Sequence, residues 1–159
     1  MRVGFGYDAH QLVDRRKLFL GGVEVPFEKG LAGHSDADVL THAIIDALLG
    51  AAGAGDIGRH FPDTDDRYKN ISSLILLHAV GRLLKERRLE IINIDAVVVA
   101  QAPKLAGYLP AMEEAITRTL GISEGKVNIK ATTTEGLGFT GSGEGMAAYA
   151  VAALQEMQE

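Results

Sequence analysis

The sequence predicts an α/β fold, an α+β two-layer sandwich in which one sheet is covered by helices on one face and a β-hairpin is added beside it. Two observations carry this. Segments of strand character alternate with segments whose apolar residues recur at helical spacing, the pattern of a sheet layered with helices. Leu18-Phe19-Leu20 and Val23-Glu24-Val25 flank Gly21-Gly22, the signature of a tight hairpin. The chain has 159 residues, 47% of them hydrophobic, enough for one domain with a substantial core, so residues 1–159 are expected to form a single domain.

In chain order, residues 2–12 read as a strand, followed by the hairpin. Val39, Leu40, Ala43, Ile44, Ala47 and Leu48 recur at helical spacing, which predicts a buried helix over about 36–50. Ser35, with Asp38 three residues on, reads as its N-cap. Gly53 to Gly58 and Phe61 to Asp66 are too rich in Gly and Asp for anything but a loop. Residues 70–87 form an amphipathic helix through Ile71, Leu74, Ile75, His78 and Leu83, with Lys85, Arg87 and Arg88 at its negative end. Ile91 to Ala100 is a β-branched strand, buried on both faces in its second half. A helix over 109–120 is stopped by Gly121, and Val127 to Thr134 is a strand. Residues 146–154 fit two readings: their alanines favour helix, and their unbroken apolar run allows a central strand. As a strand they complete a mixed four-stranded sheet.

The net charge of −5 argues against nucleic acid or an anionic membrane surface as a partner. The chain has no cysteine, which excludes disulfides and thiolate zinc sites and agrees with a cytoplasmic setting. Met1 to Phe5 opens a strand rather than a signal peptide. No apolar run approaches the ~20 residues of a membrane span. There is no fixed-period repeat.

The chemistry concentrates in His34-Ser35-Asp36-Ala37-Asp38-Val39-Leu40-Thr41-His42. His42 lies one helical turn from both Asp38 and Asp46, and a ligating imidazole needs a partner for its other ring N–H. Asp38 and Asp46 are therefore expected to support it. Near the N-terminus, Asp8 and His10 are two residues apart on a strand and point to the same face. With His42 they make an N/N/O set, which suits zinc with an open fourth position, a catalytic rather than structural arrangement. The bland alternative is a solvated helix face with ordinary charges.

Four further segments can carry function. The acidic loop, with Asp56 and Asp63-Thr64-Asp65-Asp66, reads either as a solvated turn or as a substrate lid hinged at glycines. Ala100-Gln101-Ala102-Pro103-Lys104-Leu105-Ala106 follows the carboxyl end of a strand, where α/β sheets bind ligands. In Thr132-Thr133-Thr134-Glu135, Thr133 and Glu135 share a face, although threonine is common in strands. Gly136 to Gly145 holds five glycines in ten residues, so backbone there takes positive φ or approaches something closely. It is no phosphate-binding P-loop, because no Gly-Lys-Ser/Thr follows.

Asp8-Ala9-His10, His34-Ser35-Asp36, His42, Gly55-Asp56-Ile57-Gly58, Phe61-Pro62-Asp63-Thr64-Asp65, Ala100-Gln101-Ala102-Pro103-Lys104 and Ala131-Thr132-Thr133-Thr134-Glu135 stand in this order. Together they resemble the 2-C-methyl-D-erythritol 2,4-cyclodiphosphate synthase family of non-mevalonate isoprenoid biosynthesis, over essentially the whole chain. The resemblance implies a lyase acting on 4-diphosphocytidyl-2-C-methyl-D-erythritol 2-phosphate. The 2-phosphate attacks the β-phosphorus, CMP leaves, and a cyclic diphosphate remains. It implies a homotrimer with active sites between subunits and one Zn2+ per subunit on Asp8, His10 and His42. A second divalent ion, Mg2+ or Mn2+, is implied at Glu135 with the substrate. His34 and Thr133 are implied at the transition state. Ala100 to Ala106 and Thr132 to Glu135 are implied around the cytidine and its phosphates. Asp56, Ile57, Gly58 and Phe61 to Asp65 are implied around the methylerythritol end, with Asp8, Ala9, His10, His34, Ser35, Phe139 and Ser142 also among the substrate-contacting positions.

The physical reading agrees. Phosphoryl transfer depends on positioning and charge neutralisation more than on covalent help. The substrate is a polyanion, the protein is acidic, and only Lys104 within these segments and Arg59 between two of them bring positive side chains, so metal ions carry most of the neutralisation. One departure stands out. Many family members have Arg where this chain has Ser142, beside a trimer-axis cavity that can hold isoprenoid diphosphates. The resemblance does not extend that property to Ser142. Two other classes fit the motifs less fully: a metal-dependent phosphohydrolase, which releases inorganic phosphate rather than CMP, and a small-molecule-binding trimer of chorismate-mutase-like shape with a structural zinc.

Overall fold

The computed structural model describes residues 1–158. A long strand β1 (Arg2–Asp14) opens the chain, followed by the hairpin β2 (Leu18–Leu20) and β3 (Val23–Val25) and a short strand β4 (Lys29–Leu31). Helix α1 (Val39–Ala51), a single turn α2 (Ile57–His60) and α3 (Ser73–Glu86) come next. Then follow β5 (Leu89–Val99), α4 (Leu109–Leu120), β6 (Val127–Thr132), a single turn α5 (Gly138–Gly141) and β7 (Gly145–Glu156). The main sheet is mixed, in the order β4-β1-β7-β5-β6; β5 and β6 run parallel and the other pairs antiparallel. The predicted architecture stands, with β4 as a short fifth strand at one edge. It has no sequence signal because Lys29-Gly30-Leu31 is too short to show a period.

Residues 145–156 are a strand, and the reason lies in their neighbours. β7 sits between β1 and β5 over residues 147–154, so its backbone groups there are satisfied on both sides. Ala148, Ala150 and Ala152 turn toward α1 and are buried, while Tyr149 and Val151 point the other way and are exposed. The alanines serve close helix–sheet packing rather than helix propensity. β1 does the same with Gly4 and Gly6.

The core lies between sheet and helices, where Leu40, Ile44, Ile45, Leu48 and Leu49 of α1 are fully buried. Among the described residues the other face of the sheet is covered by no helix longer than the single turn α5, whose Phe139 lies over Gly145, and it exposes Val3, Phe5, Tyr7, Tyr149 and Val151. Tyr149 packs there at a tilt against Tyr7 and Phe5, with ring centroids 5.0 and 6.2 Å away. No helix among the described residues is long and apolar enough to cross a membrane.

Candidate metal centre and active site

Close packing of α1 on β1 assembles the site. A Cβ built on Gly4 would lie 1.9 Å from the Ala47 carbonyl oxygen, and one on Gly6 1.9 Å from that of Ala43. Only glycine permits this approach. The next residues of β1 on the same face, Asp8 and His10, then meet His42 at the start of α1. Asp8 Oδ2 lies 2.9 Å from His10 Nε2 and 3.1 Å from His42 Nδ1, and the two ring nitrogens are 3.3 Å apart. His10 Nδ1 donates to the Ala32 carbonyl oxygen at 2.9 Å, which turns Nε2 toward Asp8. Burial alone would raise the Asp8 carboxyl, but the hydrogen bonds and charge of His10 and His42 outweigh it and lower its pKa to about 2. Burial would lower His10, but its bond to Asp8 outweighs this and raises it.

This triangle fits a divalent metal ion. Tetrahedral zinc with ligands at about 2.0–2.1 Å holds them roughly 3.3 Å apart, and the three atoms here already stand 2.9–3.3 Å from one another. Two imidazoles and a carboxylate leave a fourth position free. The triad borders a cavity of about 410 Å³ that is also lined by Gly33, His34, Ser35, Ile57, Gly58, Phe61, Pro62, Asp63, Tyr68 and Leu76. His34 Nε2 donates to the Asp65 carbonyl oxygen at 3.0 Å, tying its ring to the acidic loop. Asp56 caps α2 by accepting from Arg59 N at 2.9 Å and so sets the path of Ile57 and Gly58. The Asp65 side chain pairs with Arg67 instead, and Thr64 is exposed. Phe61 meets Tyr68 edge-on at 5.5 Å, and both rings pack on the core, forming the cavity's apolar wall.

Two expectations need correction. Ser35 is not the N-cap of α1; Asp38 is, with its carboxylate accepting from Thr41 N at 3.0 Å. Nor do Asp38 and Asp46 support the His42 ring. Asp38, fully buried, also accepts from Gly21 N, Gly22 N and Thr41 Oγ1 at 2.8–2.9 Å, anchoring the hairpin to α1. Asp46 accepts from Ile57 N at 2.8 Å. Orphan backbone N–H groups have claimed both carboxylates. His42 Nε2 reaches Ser73 Oγ at 2.8 Å and Ser35 Oγ at 3.1 Å instead. Sequence reasoning missed Ser73 because it lies 31 residues away and nothing local marks it. Tyr68, an aromatic residue inside a polar loop, did carry a signal. Arg16 was missed too; its guanidinium holds the Gly33 and Ser35 carbonyl oxygens at 3.2 and 2.6 Å.

The remaining candidates gather elsewhere. Gln101 Oε1 accepts from Gly136 N at 3.1 Å, so the Ala100–Ala106 segment and the turn after β6 lie together. Thr134 Oγ1 donates to the Leu137 carbonyl oxygen and meets Thr140 Oγ1 at 2.8 Å, packing that turn against α5. Ser142 Oγ donates to the Phe139 carbonyl oxygen at 3.2 Å. Glu135 holds a positive φ of 52°, and its carboxylate is exposed, as are Thr132, Thr133 and Lys104. None of these lines the metal cavity, because β7 and β5 stand between β1 and β6. Ala9 lies on β1 opposite Ala147 and points away from the helices.

Comparison with known proteins agrees with the geometry. The model of the YgbB family matches residues 1–155. The chain is 63% identical to 2-C-methyl-D-erythritol 2,4-cyclodiphosphate synthase of Pelotomaculum thermopropionicum, covering 98% of this chain and 96% of that one. It is 65% identical to the bifunctional enzyme IspD/IspF of Desulforudis audaxviator over 98% of its own length, but spans only 39% of that relative. A solved structure of 2C-methyl-D-erythritol-2,4-cyclodiphosphate synthase in its CDP-bound form matches with a TM-score of 0.88 at 34% identity, covering 97% of this chain and 100% of that one. The chain belongs to the YgbB family, alongside the 2-C-methyl-D-erythritol 2,4-cyclodiphosphate synthases.

Proposed function

We infer that this chain is a phosphorus–oxygen lyase, a single synthase domain over residues 1–159. It converts 4-diphosphocytidyl-2-C-methyl-D-erythritol 2-phosphate to 2-C-methyl-D-erythritol 2,4-cyclodiphosphate and CMP, in the cytoplasm, as a step of isoprenoid precursor synthesis. The observation that carries the reading is the Asp8–His10–His42 triangle opening on a cavity with no nucleotide-binding segment in its wall. In our reading the chain presents a metal half at β1 and α1 and a nucleotide half at the ends of β5 and β6, and a site is completed by halves from two copies. The open sheet face, with Phe5, Tyr7, Tyr149 and Val151 exposed, supports packing of three copies around an axis.

The residues then have these roles. Asp8, His10 and His42 hold Zn2+, and Glu135, exposed at the nucleotide half, holds Mg2+ or Mn2+ with the substrate phosphates. When bound, the two ions polarise the attacked phosphorus and neutralise the departing phosphate. His34, its ring fixed by the Asp65 carbonyl, and Thr133 of the neighbouring copy orient the β-phosphate. Phe61 and Tyr68 press the methylerythritol against Ile57 and Gly58 and exclude water from the closing ring. Ala100 to Ala106 and Thr132 to Glu135 receive the cytidine and its phosphates, with Lys104 as the cation. No protein nucleophile is needed, because the attacking oxygen belongs to the substrate's 2-phosphate. Incubation of the zinc-loaded protein with this substrate should release CMP. Release of inorganic phosphate instead would mark a phosphohydrolase.

A further inference from the structure

The His42 ring has a second side that the proposed metal role leaves unused. Nε2 lies away from Asp8 and His10, 2.8 Å from the Ser73 hydroxyl and 3.1 Å from that of Ser35. Ser73, the first residue of α3, is fully buried. Its hydroxyl donates to Asp36 Oδ1, and its backbone N–H donates to Asp36 Oδ2 at 2.9 Å. Asp36 Oδ1 also accepts from Asp38 N at 3.1 Å, so the carboxylate is held from two sides.

Proton counting gives this chain a direction. An ionised carboxylate only accepts. The single Ser73 hydroxyl proton is therefore committed to Asp36, and Ser73 Oγ meets His42 with a lone pair. The hydrogen between them must sit on Nε2. That leaves the lone pair of the ring on Nδ1, the nitrogen that faces Asp8 and His10. We propose that Ser73 and Asp36 are positioning residues: a carboxylate–hydroxyl–imidazole relay that fixes His42 in its Nε2–H tautomer and makes Nδ1 the stronger metal donor. A hydrogen-bonded outer partner of this kind orients a ligating imidazole and raises its basicity. The inference rests on the metal role proposed for the triad.

A purely structural role is the competing account, since Asp36 also ties the start of α3 to the loop before α1. The two separate cleanly. The tie needs only the Ser73 backbone N–H, whereas the relay needs its hydroxyl. Ser73→Ala keeps the first and deletes the second. Zinc affinity, measured by competition with a chromophoric chelator, should fall ~10–100-fold in Ser73→Ala. A structural tie alone, which Ser73→Ala retains through the backbone N–H, would leave that affinity unchanged. Affinity within about twofold of the unsubstituted protein would overturn the relay. A second measurement needs no variant. In nitrogen-15 spectra of the zinc-loaded protein, His42 should show a metal-bound Nδ1 and a slowly exchanging proton on Nε2. The reverse assignment, or a ring proton exchanging as fast as that of a solvent-exposed imidazole, would overturn the relay even if Ser73→Ala fails to fold. Protein that takes up no zinc at all would sink the metal reading itself, an outcome distinct from zinc bound without the relay.

Discussion

Ala9 and Thr132 lie in one row across the sheet: Ala9 pairs with Ala147, Ala147 with Val99, and Val99 with Thr132. The metal triad flanks Ala9, and the Thr132–Glu135 turn begins at the other end of the row. Three interstrand steps of about 4.8 Å separate them by roughly 14 Å. Asp8 and His10 also face the helices, whereas Ala9 faces the open side of the sheet. One chain thus presents the two proposed halves at one height without bringing them together, and the proposed reading takes the missing half from a neighbouring copy.

His42→Ala should abolish zinc binding while the fold survives, because the ring is only partly buried and bonds polar side chains at the site rather than the apolar core. Elemental analysis should find close to one zinc per chain in the unsubstituted protein and essentially none in the variant. Full zinc content in the variant would remove His42 from the ligand set.

Gly6→Ala should damage the metal centre without touching a ligand. The added Cβ would meet the Ala43 carbonyl oxygen at 1.9 Å, so α1 must move off β1 and carry His42 away from Asp8. Overpacking of this kind destabilises by about 1–3 kcal/mol, and zinc affinity should drop with it. Denaturant unfolding and chelator competition would read the two effects; wild-type values in both would contradict the packing argument.

Asp38→Ala should be among the most destabilising single changes in the chain. It strands the Gly21, Gly22 and Thr41 N–H groups and the Thr41 hydroxyl, all now bonded to one buried carboxylate. Leaving these buried neutral donors without an acceptor is expected to cost about 1–3 kcal/mol for each group that water does not reach. A change below about 1 kcal/mol in urea unfolding would show that the hairpin is not anchored through Asp38.

Asp46→Asn carries a signed pH prediction. Burial, with Asp56 and Asp8 nearby, raises the Asp46 carboxyl above its ordinary value despite the bond from Ile57 N. A raised folded pKa means that this group favours folding at pH below its unfolded value near 3.8. The contribution is lost as pH rises through the folded value. Asparagine keeps the acceptor for Ile57 N and removes the charge. Asp46→Asn should therefore be more stable than the unsubstituted protein at pH 7, with the difference closing below about pH 3.8. Equal stability at pH 7, or a gain that grows on acidification, would contradict the sign.

Much of this was legible in the chain. The period of Val39 to Leu48 marked α1, and the spacing of Asp8 and His10 marked a shared face. The start of α1 was misplaced because Ser35 and Asp38 are both good caps, and only the approach of the hairpin N–H groups to Asp38 decides between them. The strand at 145–156 was undecidable locally, since alanine serves a helix by propensity and a central strand by letting a helix sit close. Ser73 and Arg16 reach the site through tertiary packing and leave no local pattern.

The central claim, that a metal half and a nucleotide half from different chains make one site, is tested most directly by mixing two inactive proteins. Asp8→Ala disables the metal half, and Lys104→Ala with Glu135→Gln disables the nucleotide half. Each alone should form almost no CMP. Unfolded and refolded together in equal amounts, they should assort at random, and in a cyclic trimer about a quarter of the interfaces then carry two intact halves. CMP formation should recover to about that fraction of the unsubstituted activity. A mixture that stays inactive, with mixed trimers demonstrated by mass spectrometry, would contradict the shared site.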